Sequence, residues 1–267
     1  MVRSLSIQFI KVLWIVLFCR SVSVIADVGG APIITEASSM AESVDPQWWL
    51  SSGAYVYRTD GVITTVQGEL AQNDRFRLLY AKSNPIDTDI GYHPQNLLRL
   101  VTLAQFKNFT QQVFFNIKNI NSSNSPNRNQ SNGVFLLHRY LNSDNLYYVG
   151  IRVDGNIVVK KKLDGVYYPL KSLAVYQGQY HRDTLPNLLP VNRWIGIKSV
   201  ITDNTTGNVD IKVYLRDDLF GSGWIQVLEV EDAGIDGKRI LNEGHAGIRT
   251  DFMDVSFEHY EAVEGQQ

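Results

Sequence analysis

Two Asp-Gly pairs limit what this chain can fold into more than any other feature. Asp154-Gly155 lies between YYVGIRV and NIVVKKK, and Asp164-Gly165 lies between VVKKKL and VYYPL. Asp-Gly suits a two-residue hairpin turn because its central positions need positive φ, which Gly adopts freely and Asp tolerates. Residues 146–170 therefore read as a three-stranded meander.

The same texture continues along the chain. Short segments rich in Val, Ile, Tyr and Phe, bounded by turn signals, predict strands at 54–58, 62–70, 75–81, 97–103, 111–118, 133–140, 193–202, 208–216, 224–230, 245–249 and 252–261. Past the amino-terminal stretch, no segment carries a long apolar stripe at helical spacing. The expected fold class is all-β, a two-sheet antiparallel jelly-roll sandwich over 48–262, with 27–47 as a linker or edge strand and 263–267 as a tail. At 267 residues the chain is long enough for one sandwich with a substantial core.

Residues 1–26 read as a signal peptide. Arg3 and Lys11 give a basic start, Val12 to Phe18 is a short apolar run, and Val24-Ile25-Ala26 ends in a small residue before Asp27. The run is too short to span a bilayer comfortably, so no stable membrane insertion of the mature chain is expected. Cleavage after Ala26 removes Cys19, the single cysteine, leaving the mature domain to be held by its core alone. It also leaves 22 Lys and Arg against 27 Asp and Glu, a formal charge of −5. That balance argues against nucleic acid as a partner. The expected location is secreted or cell envelope.

Charge is distributed unevenly. His138 to Arg182 carries seven basic and three acidic side chains, whereas Glu229 to Glu264 carries three basic and ten acidic ones. The first stretch suits a local basic groove that attracts an acidic ligand. A solvated surface is the commoner explanation of such asymmetry.

The last third resembles the concanavalin A-like jelly roll of lectins, laminin-G-like modules, glucanases and several polysaccharide lyases. The residues that carry the resemblance are NRWIGIKSVI (192–201), VDIKVYL (209–215), GWIQVLEVED (223–232) and GHAGIRTDFMDVSFEHYEA (244–262), with Gly244, Gly247, Asp254, Phe257 and Tyr260 as the closing pattern. The wider pattern is similar to exported lyase-like members. The resemblance implies the fold; this fold hosts many functions. Retaining glucanases need two carboxylates about 5–5.5 Å apart, supplied by a Glu-x-Asp-x-x-Glu strand. This chain has no such strand. The Arg-Thr-Glu-Leu-like, Gln-Ile-His and Tyr-Phe-Lys-Ala-Gly strands of jelly-roll alginate lyases are not present in full.

Alternation along strands selects the candidate residues. In 147–154, Tyr147, Val149, Ile151 and Val153 form the core set, and Tyr148, Gly150 and Arg152 face the other way. Gly150 either leaves room for a ligand or marks a bulge. Gln112 and Asn116 share the non-core face of 112–118, and His138 shares a face with Tyr140. Three long loops stand out: Asn84–Asn96; Asn119–Asn132, which reads as mobile; and Tyr176–Asn192, which carries Tyr180, His181 and Arg182. In the expected groove Arg152 meets a ligand carboxylate, Tyr148 or His138 transfers a proton, and Gln112, Asn116, Tyr180, His181 and Arg182 bind substrate. Lys160-Lys161-Lys162 reads most simply as an exposed strand end, where lysine deters edge pairing.

The leading expectation is a carbohydrate-active protein acting on an extracellular polysaccharide, a uronate-containing one if the chemistry is β-elimination. The alternative is a non-catalytic lectin-like or adhesive module, and a third is a structural envelope protein. No cofactor is expected. The histidines lack metal-ligand spacing. Asp232 and Asp236 in DAGIDG could help hold Ca2+, with an acidic turn as the simpler reading.

Overall fold

The computed structural model describes residues 32–218, 221–235 and 237–265, together with the backbone of 23–25. The signal segment otherwise lies outside the described residues, as does Asp236.

The strands run in chain order as β1 (Ser23–Ile25), β2 (Ile33–Thr35), β3 (Trp48–Ser52), β4 (Tyr55–Thr59) and β5 (Val62–Thr65). Helix α1 (Arg75–Ser83) follows, then β6 (Arg99–Phe106), β7 (Phe109–Ile120), β8 (Gly133–Asn142), β9 (Asn145–Arg152), β10 (Asn156–Leu163) and β11 (Val166–Ala174). The carboxy-terminal part holds β12 (Ile195–Asp203), β13 (Val209–Asp217), β14 (Gly221–Asp232), β15 (Gly244–Thr250) and β16 (Met253–Glu264).

These strands form two antiparallel sheets. One has nine strands in the order β14-β13-β12-β7-β16-β5-β4-β2, with β1 also on β16; the other has seven, β11-β10-β9-β8-β15-β6-β3. The closing strand β16 pairs with β5 at Ile63 and Thr64 and with β1 at its far end, so the carboxy terminus returns to the amino-terminal edge. Strand β1 lies within the segment expected to be cleaved.

Between the sheets runs one apolar core. It takes Val113, Phe115 and Ile117 from β7 and Tyr147, Val149 and Ile151 from β9, the faces that alternation assigned. Trp48 meets Tyr260 edge to face, ring centres 4.6 Å apart, with both side chains buried.

The meander over 146–170 is present, and its two turns differ. Leu163 pairs with Val166 around Asp164-Gly165, whose φ values of 49° and 83° fit the two-residue turn. At Asp154-Gly155 the register is one residue longer. Ile157 pairs with Ile151, and the Gly155 amide donates to the Arg152 carbonyl at 2.9 Å.

Three expectations are corrected. Residues 75–81 form α1 rather than a strand, because the Asp74 side chain accepts from the Phe76 and Arg77 amides and caps the helix, while Phe76 and Tyr80, four apart, bury one face. The strand expected at 62–70 ends at Thr65. The Asn-rich segment after β7, expected to be mobile, is tied down by its own side chains. Asn121 is buried and donates to Asn96 and Asp254, Ser123 and Ser125 donate to Asp89 and Asp87, and Arg128 Nε donates to the Ser123 carbonyl.

Candidate functional site

The outer face of the seven-stranded sheet carries a second apolar layer. Val101, Phe135, Leu137, Tyr148 and Val158 cluster there, on the far side of the sheet from the main core. A cavity of about 500 Å³ lies over this layer, between the loop residues Asp87, Asn127 and Asn132 at one end and Lys171 and Ser172 of β11 at the other.

Six side chains define its middle. Tyr148 stands directly across from Lys160 on β10. The Lys160 ammonium lies 4.6, 5.1 and 5.0 Å from the ring centres of Phe135, Tyr148 and Tyr167. Ring faces attract a cation but replace water poorly. Burial therefore lowers the amine to about 8, with Arg249 and Arg152 pushing the same way and Asp251 opposing them. Arg249 Nη1 donates to Tyr148 Oη at 3.2 Å, and Asp251 Oδ1 accepts from Arg249 Nε and Nη2 at 2.9 and 2.8 Å. Burial raises the Tyr148 phenol to about 12, partly offset by Arg249. The phenol is thus a neutral donor at neutral pH, beside a fixed guanidinium and an amine that titrates near neutrality.

The expected site residues divide among several places. Tyr148 and Arg152 both line the cavity. Arg152 is held at its rim by an ion pair to Asp154 and by donation from Nε to the Gln130 carbonyl at 3.1 Å. Gly150 does not leave room for a ligand. A Cβ there would come within 2.4 Å of the Phe135 ring, so the missing side chain is the space in which Phe135 lies.

His138 is not on this face. It is fully buried between the sheets, where Nε2 shares a hydrogen bond of 2.7 Å with Ser199 Oγ on β12. Burial lowers it to about 3. Arg139, at φ 47°, sits in the β8 irregularity that parts His138 from Tyr140, so these two no longer share a side. Gln112 and Asn116 belong to β7 in the other sheet. Gln112 Nε2 donates to Glu261 at 3.2 Å on that sheet, and Asn116 pairs with Ser256, so neither can reach the cavity. Tyr180, His181 and Arg182 pack one layer behind it. Arg182 Nη2 donates to the Ser125 carbonyl at 2.9 Å, His181 Nδ1 accepts from the Thr184 amide, and Tyr180 lines a crevice with Asn129, Asn132 and Asp251.

The lysine triplet is also not a plain exposed strand end. Lys160 faces the cavity, Lys161 is buried against Asp232, and Lys162 Nζ lies 3.0 Å from Asp144 Oδ1 at the hairpin tip. Asp232 is engaged by Lys161 Nζ, the Tyr147 hydroxyl and the Gly234 amide, and Asp236, the other residue named for Ca2+, lies outside the described residues. Among the described residues, no three His, Cys, Asp or Glu side chains gather where a metal ion could sit. No helix among them is long and apolar enough to cross a membrane.

Solved structures place this architecture. A carbohydrate-binding module from Bacillus subtilis superposes with a TM-score of 0.50 at 13% identity, over 80% of this chain and 94% of the module. Winged bean acidic lectin, in complex with methyl-α-D-galactose, superposes with a TM-score of 0.53 at 11% identity, over 92% of this chain and all of the lectin. The fold is a two-sheet antiparallel jelly-roll sandwich. At these identities the likeness is one of architecture. No protein-family model and no curated protein matches the sequence. Within the jelly roll, Arg249, Lys160, Tyr167, Phe135 and Asp251 are the groove residues that sequence reasoning missed.

Proposed function

We propose that the groove binds an acidic polysaccharide and that the protein works outside the cytoplasm, exported by its first 26 residues. The observation that carries this reading is the convergence of the Arg249 guanidinium and the Lys160 ammonium on Tyr148, beside the exposed Tyr167 ring. A guanidinium and an ammonium suit a sugar carboxylate, and the aromatic rings suit the apolar faces of pyranoses. The module and the lectin that share the fold are named for sugar binding, which agrees with this reading.

The same groups suit β-elimination on a uronate. Arg249, in place of the Arg152 expected from alternation, neutralises the substrate carboxylate and so stabilises negative charge developing at the adjacent carbon. Neutral Lys160 takes the proton from that carbon. Its electron pair forms the C4–C5 double bond, the C4–O bond breaks, and the Tyr148 hydroxyl protonates the leaving oxygen. A proton passed from Lys160 back to Tyr148 through water restores both groups. A second reading keeps the groove as a binding site without turnover, favoured by the ammonium already seated among three rings.

The test is incubation of the mature protein with polygalacturonate, alginate and hyaluronan, and with a neutral glucan, while following absorbance of unsaturated uronides. Growth of that absorbance with an acidic polymer supports elimination. Binding without it supports the lectin-like reading, and no binding to any acidic polymer refutes both.

A further inference from the structure

We propose that the glycan continues out of the groove, over Lys171 and Ser172, into a second cleft on the side of the sandwich, so that the protein grips an internal stretch of a long chain. This inference rests on the acidic-glycan reading above.

The cleft has a volume of about 320 Å³ and is lined by Lys171, Ser172, Leu173 and the Gln226–Glu229 stretch of β14. Lys171 and Ser172 also line the groove, so the two cavities are contiguous. Alternation along β11 makes this rim two-sided. Ser172 pairs with Val158, whose side chain belongs to the groove layer. Lys171 pairs with Val159, whose side chain belongs to the inter-sheet core, and its Nζ crosses to donate to the Glu229 carbonyl at 2.9 Å.

Strands β11 and β14 are the terminal strands of their sheets. A terminal strand has backbone N–H and C=O groups without a ladder partner along its outer edge. A cleft between two such edges offers donors and acceptors at regular spacing, which suits a hydroxyl-rich extended chain. It has one ammonium, Lys171, and no convergence of charge like that around Tyr148. The cleft therefore extends the groove rather than forming a separate site, and its contribution appears only when one ligand is long enough to occupy both.

The experiment compares the dimer, tetramer and decamer of polygalacturonate and of alginate by calorimetry, using the mature protein, Gln226→Trp and Leu173→Trp. Both substitutions fill the cleft and leave the groove alone, and thermal unfolding identifies any variant that has lost its fold. The decamer is expected to bind the unmodified protein at least about tenfold more tightly than the dimer. Either cleft variant should bring the decamer down to the dimer's affinity with dimer binding unchanged. Equal affinity for dimer and decamer, or a decamer insensitive to a folded cleft variant, overturns the extended-chain inference while leaving the groove as a site. If no oligomer of either polymer binds the unmodified protein, the acidic-glycan reading fails and this inference fails with it.

Discussion

Lys161 and Asp232 tie the two sheets together by an ion pair shut away from water: Nζ of β10 lies 2.8 Å from Oδ2 of β14, and neither side chain is more than 2% exposed. The Gly237 carbonyl and the Tyr147 hydroxyl complete the hydrogen bonds of the pair. Removing one partner leaves the other charge buried and alone, at a cost of about 3–5 kcal/mol. Lys161→Ala should therefore lose most of the domain's stability in urea unfolding. Lys160→Ala, one residue away, should change it far less. Equal effects of the two would contradict the alternate placement of these lysines.

The groove amine gives a pH signature. Lys160 titrates at about 8, depressed by burial. Below that pH the ammonium attracts a carboxylate and cannot accept a proton; above it the amine is neutral. Turnover of an acidic polymer should rise with pH and level off above about 8, while affinity weakens over the same interval. Lys160→Arg should hold affinity at high pH and abolish turnover. A turnover profile that stays flat over about two pH units on either side of that value would remove Lys160 from the proton-transfer role.

The two groove arginines should behave differently. Both arginines hold a carboxylate, Arg249 that of Asp251 and Arg152 that of Asp154, but Arg249 also reaches Tyr148 at the centre, whereas Arg152 turns its Nε to the Gln130 carbonyl at the rim. Losing a charge-assisted contact is worth about 1.5–3 kcal/mol, so Arg249→Ala should weaken acidic-glycan binding by about ten- to a hundredfold. Arg152→Ala should weaken it only a few-fold. Calorimetric titrations of both variants check the order, and the reverse order would return the central role to Arg152.

His138 should matter for acid stability and not for sugar. Burial holds it at about 3 in the fold, below the ordinary 6.5. Its contribution to stability is complete above pH 6.5 and is lost as pH falls through the folded value, because the unfolded chain takes up a proton that the folded chain refuses. The slope from this one group approaches about 1.4 kcal/mol per pH unit between those values. His138→Gln should flatten the fall in stability between pH 6 and 4, the interval set by those two values, and leave glycan affinity unchanged.

Strand alternation made the fold legible, and of the expected site residues it placed Tyr148 and Arg152 on the face that carries the cavity. The Tyr147 and Tyr148 faces follow from residue types at period two, the Asp164-Gly165 turn follows from the positive φ that Asp-Gly tolerates, and the return of β16 to the amino-terminal edge is what the resemblance of the closing pattern implies. What failed did so where one residue breaks that period. The longer Asp154-Gly155 turn sets Lys160, rather than Lys161, opposite Tyr148, and one residue of register exchanges the two faces. The irregularity at Arg139 does the same to His138. Arg249 and Asp251 reach the groove because β15 lies beside β8, a pairing of strands far apart in sequence that no local pattern announces. Gln112 and Asn116 do point away from the core, but from the other sheet, and alternation does not say which sheet a strand joins.

The most direct test of the groove as an acidic-glycan site is calorimetric titration of the protein and of Lys160→Met with polygalacturonate, alginate and a neutral glucan at pH 7, below the Lys160 value of about 8. The account predicts binding to at least one acidic polymer, none to the neutral one, and a loss of about tenfold or more in the variant while its unfolding temperature is unchanged. Equal binding of the neutral glucan, or acidic binding that a folded Lys160→Met leaves intact, would contradict it.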